Sequence, residues 1–575
     1  MRREIRRTSV FTRRALLLMG GQVAVLGTLG ARLYQLQVVD AARYKTLAND
    51  NRISARLVAP PRGRILDRFG IPVADNKPNW RALLIAERTN DVRATLDRFS
   101  TLVPLDDRER ERIQRDLHRN RSFIPVLVRD YLTWDEMARI EVNAPELPGI
   151  VVDAGSTRNY PFGPQLAHLI GYVGPPNERD LSNDPLLSLP GIRVGRTGVE
   201  KYHDLALRGR AGVVQLEVNA VGRVVRELSR QDGVPGDTIG LTIDSALQQA
   251  ALQHLGDQSG SAVVLDCTNG EILAMATNPS FDPGLFNSGV PQAQWNAWMQ
   301  DPMHPLMNKA TRGLYAPGST FKMTVALAAQ QTGAVSPTQR FFCPGYFEVG
   351  DRRFWCWRRG GHGWLDMVGG LKNSCDVYFY QAALHTGIDP IAGVAHRLGL
   401  GVDLPKLDLP EQRTGLVPTR EWRKKQGHPW QLGDTVVAGI GQGYIEVTPV
   451  QLATYVSRIA TGRAVQPHVT RSLSGVEQPG MKPEDWPMLD IPDRQLQVAR
   501  QGMWEVVNDP RGTAPAAKLP DPRWQMAGKT GSAQVVAVPR ALRLSGHFNS
   551  ADLPWKYRPN ALFVAFAPFD APRYA

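Results

Sequence analysis

The sequence predicts an α+β protein held to a membrane by one N-terminal helix. Three observations lead there: an uncharged apolar run near the N-terminus, a mixed irregular stretch after it, and a long helical region with strand-like segments at both ends. A chain of 575 residues is long enough for two or three domains with real cores. Its net charge of +13 favours anionic surroundings such as lipid headgroups or acidic polymers. No zinc-finger or RNA-reading signature accompanies that charge, so no nucleic-acid partner is expected. No period of 20–50 residues repeats along the chain.

The apolar run, residues 15–31, carries no charge. Extended to Tyr34 as a helix it spans about 30 Å, one bilayer core. Arg2, Arg3, Arg6, Arg7, Arg13 and Arg14 precede it against a single Glu4. The positive-inside rule makes residues 1–14 a cytoplasmic arm and residues 15–36 a single-pass anchor, with the rest outside the cytoplasm. No small-x-small cleavage site follows directly, which favours an anchor over a removed signal peptide.

Residues 50–235 alternate short apolar runs (82–85, 125–128) with charged, helix-favouring stretches such as 106–121. They read as an irregular, strand-containing module. The turn-rich residues 231–237 mark its end. From 237 to 575 the pattern changes. A strand (238–243) and a helix (245–255) come first, then a hairpin (261–266 with 271–277) around Asn269-Gly270. A helix-rich middle follows, with strands again near 529–538 and 562–567. Strands at both ends with helices between give a sheet covered by helices.

The chemistry starts at Ser319-Thr320-Phe321-Lys322. Pro317-Gly318 before it is a helix-start signal, and the alanine-rich run after it continues the helix. Ser319 and Lys322 are three apart and share a helix face. A serine hydroxyl is a poor nucleophile until a neighbour takes its proton, and a lysine in a dry site can be that base. A lone S-x-x-K match says little, because a capped helix with a surface lysine produces it as easily. Two further motifs change the weight. Ser374-Cys375-Asp376 lies 55 residues on, and Lys529-Thr530-Gly531-Ser532 lies 210 residues on. This three-part set is that of penicillin-binding proteins and serine β-lactamases. Ser374 can relay a proton to the leaving amine. Lys529 supplies positive charge, and Thr530 and Ser532 supply hydroxyls, for a substrate carboxylate. Gly531 lets the substrate backbone come close. The backbone N–H groups of Ser319 and Ser532 form the natural oxyanion pair.

At this point the chain resembles the class B penicillin-binding proteins, and among them the penicillin-binding protein 2 subfamily, over nearly its whole length. Arg62-Gly63-Arg64-Ile65-Leu66-Asp67-Arg68 is similar to the first pedestal motif of these enzymes. Tyr160-Pro161, Ala167-His168, Ile170-Gly171-Tyr172-Val173-Gly174 and Gly195-Arg196-Thr197-Gly198-Val199-Glu200 resemble the next ones. Gly441-Gln442-Gly443-Tyr444 and Thr448-Pro449 resemble the region before the third catalytic motif. Asp376 in place of the more common asparagine is the form of that subfamily. The resemblance implies a peptidoglycan D,D-transpeptidase of cell elongation, with catalytic Ser319, Lys322, Ser374, Asp376 and Lys529. It implies a donor stem peptide ending in D-Ala-D-Ala, an acyl-serine intermediate and inhibition by β-lactams. It also implies a SEDS-type glycosyltransferase that makes the lipid-linked glycan strands, an MreC-like scaffold, and no organic cofactor. Finally, the family's sheet adds one more strand and a helix beyond the point where Ala575 stands. The expectation is therefore a sheet short of those elements, prone to aggregate and weak in β-lactam binding.

Cys343, Cys356, His362 and Cys375 lie 13, 6 and 13 residues apart. Three thiolates and an imidazole suit tetrahedral zinc, although the spacing is not a common zinc-finger one. A disulfide is the competing reading in an oxidising compartment, but three clustered cysteines leave one unpaired, which favours metal. Some relatives are similar here and bind zinc through Asp, Asp, His and Cys. That resemblance puts Cys356, His362 and Cys375 on the last three ligand positions and Cys343 on the first, with Asp351 or Asp366 as substitutes. Cys375 between Ser374 and Asp376 would let the metal brace the second motif. Cys267 reads as inert core. Trp355, Trp357 and Trp364 could line a substrate groove, but aromatics beside a metal loop are more often packing.

Three rival readings share these motifs. A β-lactamase is disfavoured by the anchor and the long pedestal. A D,D-carboxypeptidase differs only in using water as acceptor. A non-catalytic scaffold or β-lactam sensor would not need Ser319, Lys322, Ser374 and Lys529 intact.

Overall fold

The computed structural model describes residues 2–40, 53–119, 122–180, 184–189, 191–218, 224–477, 482–534 and 553–575. The N-terminal helix, Arg2–Tyr34, runs into a π turn at Gln35–Val39. Across the two, Arg13–Val39 is long and apolar enough to cross a membrane, and its most apolar window is not buried by any of the described residues.

The pedestal is built on a sheet that reaches into the following region. Pro72–Leu84 is its long central strand, flanked by Ile65–Leu66, Val126–Leu132 and Ile150–Asn159, all antiparallel to it. Ile65–Leu66 then pairs in parallel with Ile239–Leu241, which pairs with Thr470–Leu473. One sheet therefore joins pedestal strands to strands on both sides of the helical region. A core of Ile65, Val73, Leu169, Ile239, Ile272 and Val469 seals this junction, so the two parts share buried apolar surface. The predicted helix at 106–121 is present as Asp107–Arg119, with residues 120 and 121 outside the described ones.

The pedestal motifs converge on one buried carboxylate. Glu200 accepts from Arg158 at 2.6 Å and from Arg62 at 2.8 Å. Arg62 also reaches Asp204 at 2.9 Å. Asp67 caps its own turn through the N–H groups of Phe69 and Ile71 and takes the Ser245 hydroxyl at 2.7 Å. Stretches far apart in sequence are thus tied together by charge-assisted hydrogen bonds, the strong class.

The catalytic region follows the predicted order. The helix is Ser245–Leu255, capped by the Asp244 side chain. The hairpin pairs Gly260–Leu265 with Ile272–Asn278. Ala527–Ala533 and Asn560–Phe566 form the last strand pair, and residues 535–538 lie outside the described ones. Arg573, Tyr574 and Ala575 lie between the two pairs. Leu265 and Ala575 exchange N–H and C=O bonds of 2.8 Å, and Tyr574 bridges both Asp266 and Ala567. The helix Lys322–Gln331 is buried from Lys322 to Ala329 and packs against Asp376–Thr386, Ile388–Arg397 and Asp493–Asn508. A helix apolar on every face belongs in a core.

The middle is helix-rich, with short strands that the sequence did not announce. Two ribbons interrupt it: Phe341–Cys343 with Gly363–Leu365, and Tyr346–Val349 with Arg352–Trp355. Strands of three or four residues are too short to show an alternation.

Candidate active site

The first motif sits on a 3-10 turn, Gly318–Phe321, that leads into the core helix. Gly318 has φ +54, and a Cβ there would stand 2.7 Å from the Ser532 carbonyl oxygen. A Cβ on Gly531 would stand 2.9 Å from the Pro317 carbonyl. Only glycine permits this approach, which sets the start of the core helix against the third-motif strand. Ser319 is half-buried at that junction.

Lys322 and Lys529 are both fully buried. Lys322 Nζ donates to the Ser374 carbonyl at 2.8 Å, to Ser374 Oγ at 3.3 Å and to Asp376 Oδ1 at 2.7 Å. Lys529 Nζ donates to Ser374 Oγ at 2.9 Å and to the Thr530 carbonyl at 3.0 Å. The hydroxyl of Ser374 therefore accepts from two lysines, one from each of the other motifs. With its lone pairs engaged, its own O–H is free to point elsewhere. Ser374 has φ +49, the left-handed region, uncommon for a residue with a Cβ. Burial pushes the Lys529 amine well below the ordinary lysine range, and the charge of Lys322 pushes the same way against the pull of Asp376.

Along the third-motif strand the side chains alternate. Lys529 points into the protein, Thr530 is half-buried against the Thr513 hydroxyl at 3.0 Å, and Ser532 is exposed to the cleft. Among the described residues no hydrogen bond involves Ser319 Oγ, so Lys322 is held by the second motif instead.

Behind Ser374 lies the sulfur cluster. Cys343, Cys356, His362 and Cys375 place one ligand atom each within 4.8 Å of one another. His362 Nδ1 is 3.6 Å from Sγ of both Cys343 and Cys356. All four cysteines are free thiols, so the disulfide reading does not hold. A tetrahedral ion with metal–sulfur and metal–nitrogen bonds of about 2.3 and 2.0 Å puts sulfur and nitrogen about 3.6 Å apart, and these atoms have that spacing. The Cys375 thiol is the largest influence lowering Cys343 and Cys356, burial opposes it, and His362 adds to it. Asp351 and Asp366 stand outside the group. Asp351 is exposed, and Asp366 caps the helix Met367–Lys372. Cys267 is buried core, its thiol pushed up to about 12 by burial.

Residues 260–575 match the sequence profile described as the penicillin binding protein transpeptidase domain, and residues 57–241 match the penicillin-binding protein dimerisation domain. The chain belongs to the penicillin-binding protein transpeptidase family. It is 35% identical to the peptidoglycan D,D-transpeptidase MrdA of Escherichia coli K12 over 99% of this chain and 90% of that one. It is similar to penicillin-binding protein 2 of Helicobacter pylori, solved in complex with MreC, with TM-score 0.77, 27% identity, and 91% and 94% of the two chains covered. A chain solved in a peptidoglycan synthase complex matches with TM-score 0.68 and 28% identity, covering 98% and 93%.

In this family member the sequence reading missed residues that complete the cleft. The Trp357 N–H donates to Asp376 Oδ2 at 2.9 Å, so the loop between Cys356 and His362 holds the carboxylate that holds Lys322. Gln442 Nε2 reaches the Ser532 carbonyl at 3.5 Å, and Thr513 meets Thr530. Gln442 stood in a quoted motif. Trp357 carried no signal beyond its place next to a metal-ligand candidate, because a backbone donor leaves no mark on the sequence.

Proposed function

We propose that this penicillin-binding protein is a peptidoglycan D,D-transpeptidase of cell elongation, with Ser319 as its nucleophile. One observation carries the assignment: Lys322, Ser374, Asp376 and Lys529 converge, through bonds of 2.7–3.3 Å, beside a serine at the start of a core helix. Full-length similarity to named transpeptidases supports it.

Ser319 Oγ attacks the carbonyl carbon between the two D-alanines of a donor stem peptide. Its proton passes through Lys322 and the freely pointing Ser374 hydroxyl to the leaving D-alanine amine. The N–H groups of Ser319 and Ser532 face the oxyanion. Thr530 and Ser532 receive the terminal carboxylate, and Lys529 lies behind them on the Ser374 hydroxyl. An amine of a second stem peptide then attacks the acyl-enzyme, and the Ser319 hydroxyl is restored. β-Lactams present the same carbonyl and carboxylate. Asp376 and the Trp357 N–H keep Lys322 in place.

Cys343, Cys356, His362 and Cys375 would hold zinc, whose contribution is to cross-link the loops around Ser374 and Asp376, not to react. The arginine-rich N-terminus before an apolar helix supports a single-pass anchor in the inner membrane with the catalytic region periplasmic. An MreC-like scaffold fits the relative solved in complex with MreC, and a glycosyltransferase partner of the SEDS type fits the one solved in a peptidoglycan synthase complex of polymerization and crosslinking.

The test is intact-protein mass spectrometry after exposure to a penicillin, with the adduct mapped. A single acyl adduct on Ser319, lost in Ser319→Ala, is expected. An adduct on any other residue refutes the assignment.

A further inference from the structure

The loop that holds Asp376 presents an unused surface. Trp357 is 59% exposed although its position is locked. Its indole N–H donates to the Asn373 carbonyl at 3.1 Å, and its ring meets His362 edge-on at 5.3 Å. Its backbone N–H is spent on Asp376. A rigid, exposed indole face thus stands on Asn373, the residue before Ser374. Trp364 is equally exposed, and Trp355 is 38% exposed. Large exposed aromatics held rigid mark a binding surface, not packing.

The charges around these rings are unbalanced. Residues 351–360 contain Arg352, Arg353, Arg358 and Arg359, all exposed. Arg353 is paired with Glu348 at 2.6 Å. Among the described residues, Arg352, Arg358 and Arg359 have no ion-pair partner. Arg359 instead lies 4.5 Å over the Trp355 ring, and Arg352 lies over Phe354. A guanidinium stacked on an aromatic face is held flat with its N–H edge outward, the geometry that grips a carboxylate.

We propose that Trp357, Arg358 and Arg359 form a subsite for the carboxylate-bearing part of a stem peptide, beyond its reacting end. The proposal rests on the transpeptidase reading and names how that site tells peptides apart. The Trp357 N–H bond to Asp376 ties this loop to the cleft, and its free charges are opposite in sign to those of an anionic peptide. Arg358 and Arg359 follow Trp357 directly in the chain, so both guanidinium groups belong to the same exposed loop as the indole. The indole supplies apolar contact, and the arginines supply charge-assisted hydrogen bonds.

The test uses the full chain in detergent and two synthetic peptides ending in D-Ala-D-Ala. One has free carboxylates upstream of that end, and the other has them amidated. Acylation kinetics are measured for wild type and for Arg358→Gln with Arg359→Gln. Wild type should prefer the free-carboxylate peptide about tenfold in KM, the scale of one hydrogen bond to a charged group. The double variant should lose that preference with kcat changed less, and added salt should erode it in wild type. Trp357→Ala should raise KM for both peptides, and Trp357→Phe should restore most of it. A wild type that treats both peptides alike, or a double variant that keeps the preference, overturns the proposal. So does a surface that binds anionic polymers without discriminating the peptides. Fluorescent penicillin keeps the two readings apart. Unlabelled wild type refutes the transpeptidase assignment, whereas labelled wild type without peptide preference refutes the subsite alone.

Discussion

In the pedestal, Glu200 sits between Arg62 and Arg158. In the cleft, Asp376 holds Lys322, and Lys529 lies one serine away. Both groups are buried, and both tie together segments far apart in sequence. The difference is in the balance of charge. Glu200 and Asp204 answer the two arginines, and Glu200 and Arg62 are each driven toward the charged form. Although burial opposes charge on both, their attraction keeps Glu200 below the usual carboxylate range and Arg62 above the usual arginine value. In the cleft one carboxylate serves two lysines, and Lys529 is driven toward its neutral form. A matched cluster is a fastener. A mismatched one keeps a proton mobile, which acid–base chemistry requires.

The largest expected effect comes from the cleft. Lys322→Ala should slow penicillin acylation by about 10²–10⁴-fold, as loss of a general base does, while the fold melts cooperatively. Stopped-flow acylation beside a melting curve measures this. Equal loss of fold and rate would make Lys322 another fastener.

Glu200→Gln should do the reverse. It leaves the buried Arg158 guanidinium without its carboxylate and Arg62 with Asp204 alone, and should cost about 3–5 kcal/mol of stability. Penicillin acylation per folded molecule should stay near the wild-type rate. Denaturant titration with active-site counting checks both halves. A stable Glu200→Gln protein would erase the contrast.

The sulfur cluster sits between these cases, a fastener placed against the chemistry. Purified protein should carry about one zinc per chain by elemental analysis, and chelation should lower the melting temperature. Cys356→Ser should lose the zinc and part of the acylation rate together, because Trp357, next in sequence, holds Asp376. Full acylation without metal would separate cluster from cleft.

The smallest effect is a slope. Between the lowered pKa of Lys529 and the ordinary lysine value, the unfolded chain binds a proton that the folded chain does not. Stability therefore rises with pH across that window. Lys529→Met titrates in neither state. It should be more stable than wild type at neutral pH, and its advantage should shrink as pH rises toward the ordinary lysine value. Parallel melts across the alkaline range read the difference. A constant gap would mean that Lys529 is not depressed.

Much of this was legible in the chain. The anchor is written as an apolar run behind arginines, and the hairpin at 260–278 as two β-rich runs around Asn-Gly. The three motifs name the cleft residues because each needs a particular side chain. The cysteine and histidine spacing named four candidate ligands, and the fold brings one ligand atom of each within 4.8 Å of the others. The short ribbons at 341–365 were not legible, because their pairing is set by what they pack on. Nor was the role of residues that act through their backbone, such as Trp357.

The sequence by itself determined the parts: which segment is apolar enough to cross a bilayer, which side chains can act as nucleophile, base and anion grip, and which thiols can meet a metal. These follow from composition and spacing, which are local. Only the tertiary structure decided how charges are shared. Two lysines 207 residues apart meet on one serine hydroxyl, and one carboxylate is left to serve both. A lysine's proton affinity depends on its burial and on charges within a few ångströms, and no local pattern records either.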